Sequence, residues 1–578
     1  MNQINTKRPF SFKVRTANLA MTFEVVIALG IVLAVFFLTW RRLFFGVDFT
    51  DEAFYIALPY RFALGDIPLK DEQNIAQFAG VLLIPFMRLF LYLQGNTEGI
   101  VLFSRHLHFA FTVLVGLSVY IAIQRTLRWP LALMVSVICV VFVPFNIHGL
   151  SYNTMGCGFL TIGCFLGMVD QGRGSASRWA YFFSGASHCL AILVYAPLLV
   201  AVCAYAAIIL FNDNYQRVQR VSYICGGLLA AVIPLVLVLQ AGVGSLSLMI
   251  DYLKSVGVQG GGWKKIADVS LDFWLQSPRV GTIVTGMAIL GIWHCFKPRW
   301  MRFVLPFLPL LLVFYALSAN GTASLYFVIA VSLLGPFIHP FVIHDKFGKN
   351  LFRLIWWPSF IGGLVTAWSS GNGTVNGAIG MFPAALASTI LIIRALQLMP
   401  SIAKNMRITQ GTLMPVTPAL IIAPLLIGGY ADIYGESVPR TSALTERVTA
   451  GPYRGIKTTE PKKIFLNTFS RDLVLLLEPN DTVLFFSDFP AGYLFTNARP
   501  ATNSVWLSSL GAKPPDLTPT FKYYQANGIK PSLVFMLKKS NNSSGLLADM
   551  VNGDEYRKVF DSEFYGVFRR QQETESKI

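Results

Sequence analysis

Within the first 435 residues, carboxylate side chains that could act as acids or bases are most frequent in one polar segment, residues 45–98. Asp48, Asp51 and Glu52 come directly after a long apolar stretch, and three more acids follow at 66, 71 and 72. Because neighbours on a helix point about 100° apart, Asp51 and Glu52 can both reach one cavity. One carboxylate can then accept a proton from a hydroxyl group while the other orients that group. The alternative is that these acids only keep a loop hydrated and negatively charged.

The composition requires lipid as the solvent for most of the chain. Of the 578 residues, 54% are hydrophobic and only 13% are charged, whereas soluble domains usually carry about 25% charged residues. The net charge of +17 lies in short clusters between apolar stretches, and the absence of a basic stripe disfavours nucleic-acid binding. The cysteines lie in or beside apolar stretches and form no CxxC pair, so neither a zinc site nor a disulfide framework is indicated.

Apolar stretches of about twenty residues predict membrane-spanning helices, and about thirteen are expected here. The first follows a basic N-terminal segment and is interpreted as a retained signal anchor. The spans are placed at about 22–44, 99–123, 131–147, 153–169, 179–196, 197–211, 223–242, 279–296, 303–317, 325–344, 351–368, 378–399 and 414–431.

The distribution of basic residues sets the expected orientation. With the N-terminus in the cytoplasm, each short inner loop contains Lys or Arg, whereas the outer turns near 148–152, 318–324 and 369–377 contain none. This is the pattern of the positive-inside rule. An odd number of spans then places the C-terminal part on the outer face.

The chain is therefore predicted to be a polytopic α-helical membrane protein with a C-terminal soluble α/β domain. The membrane module is placed at 1–435, with the polar outer loop at 45–98, and the soluble domain at 436–578. In that domain strands alternate with helices, which favours a partly parallel sheet. The expected helices are 462–478 and 521–529, and the expected strands are 481–488, 531–537 and 563–570.

Residues 46–105 contain an ordered pattern: DEAFY at 51–55, Arg61, Gly-Asp at 65–66, an interfacial apolar helix ending in Gly95, and Arg105 opening the second span. This pattern resembles the first luminal or periplasmic loop of the GT-C glycosyltransferases. It is most similar to the protein O-mannosyltransferases and the bacterial aminoarabinose transferases of lipid A. Those enzymes carry an Asp-Glu pair just after the first span, an aromatic or similar residue three positions after the Glu, a later Gly-Asp, and an Arg opening the second span. The layout of the whole chain is similar as well.

The resemblance implies a transferase that moves one sugar from a polyprenyl-phosphate carrier to an acceptor hydroxyl on the outer face, with inversion. The position that matches the catalytic base is Asp51, and Glu52 would support it or contact the acceptor. Phosphate is already a good leaving group, whereas a hydroxyl is a poor nucleophile that needs a base. Asp48, Tyr55 and Asp66 are the substrate-binding candidates in the same loop.

A phosphate must be held by cations near the outer surface. The candidates are Arg61, Arg105, Lys264, Lys265 and Arg279. Arg105 and Arg279 lie at predicted outer helix ends, against the positive-inside trend. The alternative is that these long side chains only reach lipid headgroups.

Further polar residues lie in outer turns. Asn153 and Asn372 could hydrogen-bond sugar hydroxyls, although such residues also simply form tight turns. Segment 243–278 lacks a second acidic motif, so a divalent metal cofactor is not supported. Segment 491–506, rich in aromatic and amide side chains, is expected either to recognise the acceptor or to pack against the membrane region.

The expected partners are a polyprenyl-phosphate-sugar donor, an acceptor that is a glycan, glycolipid or protein, and the lipid bilayer. The expected location is a bacterial inner membrane, with a cytoplasmic N-terminus and a periplasmic C-terminal domain. Two alternatives stay open. A lipid-linked-sugar transporter or flippase would place ionisable residues near the midplane of the membrane, and a non-enzymatic scaffold would not need the Asp-Glu pair.

Overall fold

The computed structural model describes residues 12–169, 175–256, 265–269, 271, 323–398, 406–438, 440–486, 488–507, 518–538 and 555–571. The predicted spans at 279–296 and 303–317 lie outside these residues, as do Lys264 and Arg279. In the part of the chain that the structure describes, strands occur only from Glu446 onward.

Helices make up most of the described chain. In order they are α1 Phe12–Arg42, α2 Asp51–Ala63, α3 Gln77–Gln94, α4 Ile100–Ile123, α5 Trp129–Ser136, α6 Ile138–Val141, α7 Tyr152–Leu166, α8 Ser175–Val194, α9 Leu199–Phe211, α10 Arg217–Ala241, α11 Val243–Val256, α12 Ala323–Leu333, α13 Gly335–Val342, α14 Lys346–Leu351, α15 Trp357–Ser369, α16 Gly377–Leu398, α17 Met406–Ala431, α18 Glu460–Leu476 and α19 Thr518–Asn527. A π-helical turn, Phe352–Trp356, joins α14 to α15.

Among the described residues, seven helical stretches are long and apolar enough to cross a membrane: Glu24–Arg42, Gln77–Gln94, Ile100–Ile123, Arg217–Ala241, Ser324–Val342, Gly373–Leu398 and Met414–Ala431. Every predicted span within the described residues overlaps a helix, and the polytopic α-helical class is confirmed. Several of these helices are shorter or interrupted, such as the stretches Trp129–Val141 and Ala196–Phe211. The helix at 77–94, expected to be interfacial, is itself long enough to span.

Helix α2 positions the Asp-Glu pair, and the side chain of Asp48 sets where it begins. The Asp48 carboxylate accepts hydrogen bonds from the backbone N–H groups of Glu52 (2.7 Å) and Thr50 (3.1 Å). These bonds satisfy donors that the first turn of a helix leaves unpaired. Acidic side chains in that turn also complement the positive end of the helix dipole. From Glu52 to Phe62, every residue of α2 is buried.

The C-terminal domain contains a five-stranded mixed sheet. Its strands are β3 Thr482–Phe486, β4 Arg499–Pro500, β5 Leu533–Leu537, β6 Tyr556–Asp561 and β7 Tyr565–Arg570, after a short hairpin of β1 Glu446–Arg447 and β2 Lys457–Thr458. The order across the sheet is β4-β3-β5-β7-β6. Strand β3 pairs in parallel with β4 and β5, whereas β7 pairs antiparallel with β5 and β6. The predicted partly parallel sheet is confirmed, while β4 and β6 were not expected.

Helix α2 and the C-terminal domain share one hydrophobic core. Ile56 and Leu58 of α2 belong to the same buried cluster as Phe469 of α18 and Phe535 of β5. Burial of apolar side chains is the main favourable term in such an association. The outer loop is therefore packed as part of the C-terminal domain and not as a free connection between spans.

A buried ion-pair network fixes the same interface. Arg61 donates from Nε to Asp66 (2.6 Å), from Nη1 to Glu72 (3.0 Å) and from Nη2 to the carbonyl of Thr502 (2.8 Å). Burial lowers the pKa of Arg61, but the charges of Asp66 and Glu72 outweigh that effect and raise it above its ordinary value. Arg61 and Asp66 were predicted to bind phosphate and substrate. Their position is different: they balance each other's charge inside the contact between the loop and the C-terminal domain.

Candidate active site

Glu52 forms a buried ion pair with Arg105 of α4. Arg105 donates from Nε to Oε1 of Glu52 at 2.6 Å and from Nη2 to Oε2 at 2.7 Å. The same guanidinium donates to the backbone carbonyls of Leu43, Phe45 and Gly46. Two-point pairs of this kind are strong and directional. The predicted roles of Arg105 at a phosphate and of Glu52 at the acceptor do not fit these contacts, because each group already neutralises the other.

Asp51 has different partners from its neighbour. Its Oδ2 accepts a hydrogen bond from the hydroxyl of Tyr434, and its Oδ1 accepts one from Tyr55 at 3.5 Å. Its side chain is half-buried. Burial raises the pKa of Asp51; the two tyrosine hydrogen bonds oppose that rise, and the negative charge of Asp488 adds to it, with a net upward result. A carboxylate with a raised pKa is a stronger base than one in water and is suited to accept a proton from an alcohol.

Asp48 has a structural position, although it was predicted to bind substrate. Besides capping α2, it accepts a hydrogen bond at its backbone carbonyl from the hydroxyl of Tyr453 (2.6 Å). Burial raises the pKa of its carboxyl to about 6. Gly435 has a φ of 78° and lies so close that a Cβ there would be 2.8 Å from the Cβ of Asp48. Only a glycine fits this turn, and the turn brings the preceding Tyr434 to Asp51.

A row of tyrosine rings leads from Asp51 toward the helices α9 and α16. Tyr55 packs edge-on against Tyr152 at 5.8 Å between ring centroids, and Tyr152 lies 5.4 Å from Tyr195. The hydroxyl of Tyr195 accepts a hydrogen bond from the Nδ2 of Asn376 at 3.2 Å. Tyr55 was predicted to bind substrate; its hydroxyl donates to Asp51, and its role stays a prediction.

The predicted amide and lysine candidates differ in burial and in hydrogen-bond partners. Asn153 follows Tyr152 and is buried, and its Oδ1 lacks a hydrogen-bond partner among the described residues. Asn372 is exposed in its turn, where its backbone N–H donates to the hydroxyl of Ser370. Lys265 donates to the carbonyl of Ser370 at 2.6 Å. Of the two amide candidates, Asn153 is therefore the buried one, and the substrate contacts of both stay predictions.

A cleft opens beside Tyr434 and contains Arg42, which sequence reasoning missed. It is lined by α1, by the segment before α7, by the start of α12 and by the residues around the end of α17, and it encloses about 730 Å³ of atom-free space including its opening. Arg42 and His148 lie on its wall with Tyr434 and Asp432. Arg42 carries a buried guanidinium, which donates to the carbonyls of Phe45 (2.7 Å) and Gly429.

Arg42 has a signal in the sequence, since it lies at the end of the first span that the predicted orientation places outside, and so runs against the positive-inside trend. Tyr434 has no such signal in the sequence, because it lies 383 residues after Asp51. Among the described residues, no group of three or more His, Cys, Asp or Glu side chains could hold a metal ion.

No protein-family model and no curated protein sequence matches the chain. Among solved structures, it is similar to the crystal structure of ArnT from Cupriavidus metallidurans in the apo state, with 14% sequence identity and a TM-score of 0.44 over 95% of this chain and 98% of that chain. It is also similar to ArnT from the same organism bound to undecaprenyl phosphate, with 12% identity and a TM-score of 0.43 over the same shares. Both belong to the aminoarabinose transferase group that the first loop resembles. At these identities and TM-scores the similarity by itself assigns no activity to this chain.

The geometry predicts different effects on stability for the two adjacent acids. Glu52→Gln removes one partner of a buried ion pair and leaves Arg105 uncompensated, which should lower the free energy of unfolding by about 3–5 kcal/mol. Asp51→Asn should cause no such loss, because burial disfavours the charge that it removes. Thermal unfolding of the purified protein in detergent measures both.

The matched control is Glu98→Gln, since Glu98 pairs with Arg454 at 3.3 Å on the protein surface. Exposed pairs contribute only about 0–1 kcal/mol. Equal shifts of the unfolding midpoint for Glu52→Gln and Glu98→Gln would show that the Glu52–Arg105 pair has no special structural role.

Proposed function

We propose that this chain is a membrane glycosyltransferase that moves one sugar from a polyprenyl-phosphate donor to an acceptor hydroxyl at the outer face of a bacterial inner membrane. Asp51 acts as the general base and removes the proton from the acceptor hydroxyl. The acceptor oxygen forms a bond to the anomeric carbon while the bond from that carbon to the phosphate oxygen breaks. Attack from the face opposite the phosphate inverts the configuration, and polyprenyl phosphate leaves as an anion.

One observation supports the proposal most directly: Asp51 is a half-buried carboxylate that has no ion-pair partner in the described chain and has two tyrosine hydroxyls on its oxygens. Two other acids of the loop are held in buried ion pairs: Glu52 with Arg105 and Glu72 with Arg61. A carboxylate left with a raised pKa beside a cleft fits a general base.

The cleft beside Tyr434 supports a place for the phosphate of the donor. Arg42 is the cation on its wall, and its guanidinium offers directed donors of the kind that bind phosphate oxygens. The walls further along the cleft are apolar, formed by Val141, Phe142 and Leu425, as a polyprenyl chain requires. Undecaprenyl phosphate, named with one of the solved neighbours, belongs to this carrier class.

The first test is Asp51→Asn. Loss of a general base should reduce sugar transfer by about 10²–10⁴-fold while leaving the protein made and inserted. Mass spectrometry of envelope glycans and glycolipids, from cells with the wild-type chain and with the variant, measures the sugar that has been added. The mass difference that the wild type produces should disappear in the variant.

The control for this variant is Asp213→Asn, which removes a fully exposed carboxylate from the loop after α9. It should leave the added mass unchanged. A non-enzymatic scaffold predicts that Asp51→Asn also leaves the added mass unchanged, so a persistent product in that variant would reject the transferase.

The second test uses the pH dependence of the reaction. The Tyr434 hydroxyl lowers the pKa of Asp51 by donating to its carboxylate, so Tyr434→Phe should raise that pKa. Because the base must be deprotonated, activity in the variant should be lost at a higher pH than in the wild type. Hydrogen bonds to charged groups contribute about 1.5 kcal/mol or more, so transfer on the acid side should fall about tenfold, with little change at alkaline pH.

Tyr430→Phe is the matched control for this experiment. Tyr430 lies one helical turn earlier on the same cleft, but its hydroxyl donates to the carbonyl of Leu38 and not to Asp51. Its pH profile of transfer in membrane vesicles should coincide with that of the wild type. An unchanged acid limb in Tyr434→Phe would mean that Asp51 does not limit the rate as a base.

The third test addresses the donor phosphate through Arg42→Gln. Charge-assisted hydrogen bonds contribute about 1.5–3 kcal/mol, so binding of undecaprenyl phosphate to the protein in nanodiscs should weaken about ten- to hundredfold. Arg41→Gln is the control, since Arg41 is the adjacent cation but is exposed and lies outside this cleft. Equal weakening by both variants would assign the binding to general surface charge.

A further inference from the structure

The C-terminal domain places two side chains beside the first turn of α2. The ring of Trp506 packs against Phe54 with 5.1 Å between centroids. Phe54 lies three residues after Asp51 on α2, and residues at that spacing share one face of a helix. Trp506 therefore contacts Phe54, which lies on the same face of α2 as the proposed base, Asp51.

Asp488 lies near the same turn of α2, because the residues that follow it contact Phe49. The residue after it, Phe489, packs against Phe49 at 5.8 Å, and the backbone N–H of Ala491 donates to the carbonyl of Phe49 at 3.2 Å. Phe49 lies two residues before Asp51. The negative charge of Asp488 is close enough to act on the pKa of Asp51. Asp488 and Trp506 thus both lie near the start of α2.

These two side chains are joined to each other. The indole Nε1 of Trp506 donates to Oδ1 of Asp488 at 3.0 Å. Asp488 is exposed and Trp506 is half-buried. Oδ2 of the same carboxylate takes no hydrogen bond from the described part of the chain. The pair therefore presents an oriented indole ring and a free carboxylate oxygen to whatever approaches Asp51 from outside.

The backbone that carries Trp506 is rigidly supported. Its N–H donates to the hydroxyl of Ser504 at 3.2 Å, and the N–H of Val505 donates to Glu72 at 3.0 Å. Glu72 is in turn paired with Arg61. Substrate-positioning residues need support of this kind, since their geometry must be held to a fraction of an ångström.

An aromatic ring beside a free carboxylate oxygen is complementary to a sugar ring. The C–H face of a pyranose is apolar and packs on the electron-rich face of an indole. The hydroxyls around its edge are donors that a carboxylate accepts. We propose that Trp506 and Asp488 form the acceptor subsite and bind a saccharide, whose free hydroxyl they present to Asp51. This inference rests on the proposed transferase function and names its acceptor class as a saccharide, free or carried on a lipid.

The direct test is binding of saccharides to the full-length protein in nanodiscs. The probes are oligosaccharides released by mild acid from the envelope of the host cell, and saturation-transfer-difference NMR reports which ring protons touch the protein. Trp506→Ala should weaken binding about three- to tenfold, as expected for one aromatic contact. Asp488→Asn keeps an acceptor for the indole N–H and should weaken binding by a similar factor.

Two matched variants separate this subsite from general effects on the domain. Phe521→Ala removes an aromatic ring that is 41% exposed on α19 of the same domain, and Glu563→Gln removes an exposed carboxylate before β7. Neither should change saccharide binding. Thermal unfolding of each variant checks the fold, and Trp506→Phe provides a milder change if Trp506→Ala unfolds.

The outcomes distinguish failure of this inference from failure of the transferase proposal. Asp51→Asn should still bind the oligosaccharides while it no longer transfers sugar. If Asp51→Asn abolishes transfer but Trp506→Ala and Asp488→Asn bind and react like the wild type, the acceptor subsite is overturned and the transferase stands. Saturation of the same site by basic peptides, with no signal from saccharides, would also overturn it and assign the pair to a protein acceptor.

Discussion

The buried ion pair between Glu52 and Arg105 is the constraint on which the site depends. The guanidinium of Arg105 lies near the start of α4. It binds the first turn of α2 through Glu52, and it donates to three backbone carbonyls of the segment after α1. A charge buried at this depth is tolerated only when it is paired and hydrogen-bonded. Because Glu52 is fixed, the rotation of α2 about its axis is fixed as well. Asp51, about 100° around the helix, then meets Tyr434 and not Arg105.

The outer loop gains its rigidity from the C-terminal domain. The domain contributes a shared hydrophobic core, the carbonyl of Thr502 to Arg61, and the N–H of Val505 to Glu72. The segment after the last membrane helix adds Tyr434, whose turn depends on Gly435. A polar loop of this length between two spans would otherwise fluctuate. The soluble domain is therefore a structural part of the candidate site, which explains how a carboxylate on a loop can be positioned for chemistry.

The sequence predicted most helices and the main strands, and it singled out Asp51 as the candidate base, a role that stays a prediction. Runs of apolar residues locate the helices because lipid leaves few alternatives for the backbone, and the alternating pattern after residue 460 located the main strands. Residue type did not distinguish cations that bind a ligand from cations that balance a carboxylate, so Arg61 and Arg105 were placed at a phosphate. Tyr434 and the pair of Trp506 with Asp488 reach Asp51 only through folding, across hundreds of residues. No local sequence pattern predicts contacts between residues so far apart in the chain.

The proton affinity of Asp51 is set by groups from three separate parts of the chain. Tyr55 belongs to α2, Tyr434 to the segment after α17, and Asp488 to the C-terminal domain. The tyrosines lower the pKa by donating to the carboxylate, and Asp488 raises it by charge repulsion, on top of the rise that burial causes. A carboxylate on an isolated loop would be solvated and only weakly basic. The proton affinity of Asp51 therefore depends on the docking of the membrane helices with the C-terminal domain, and this ties the properties of the candidate site to the complete fold.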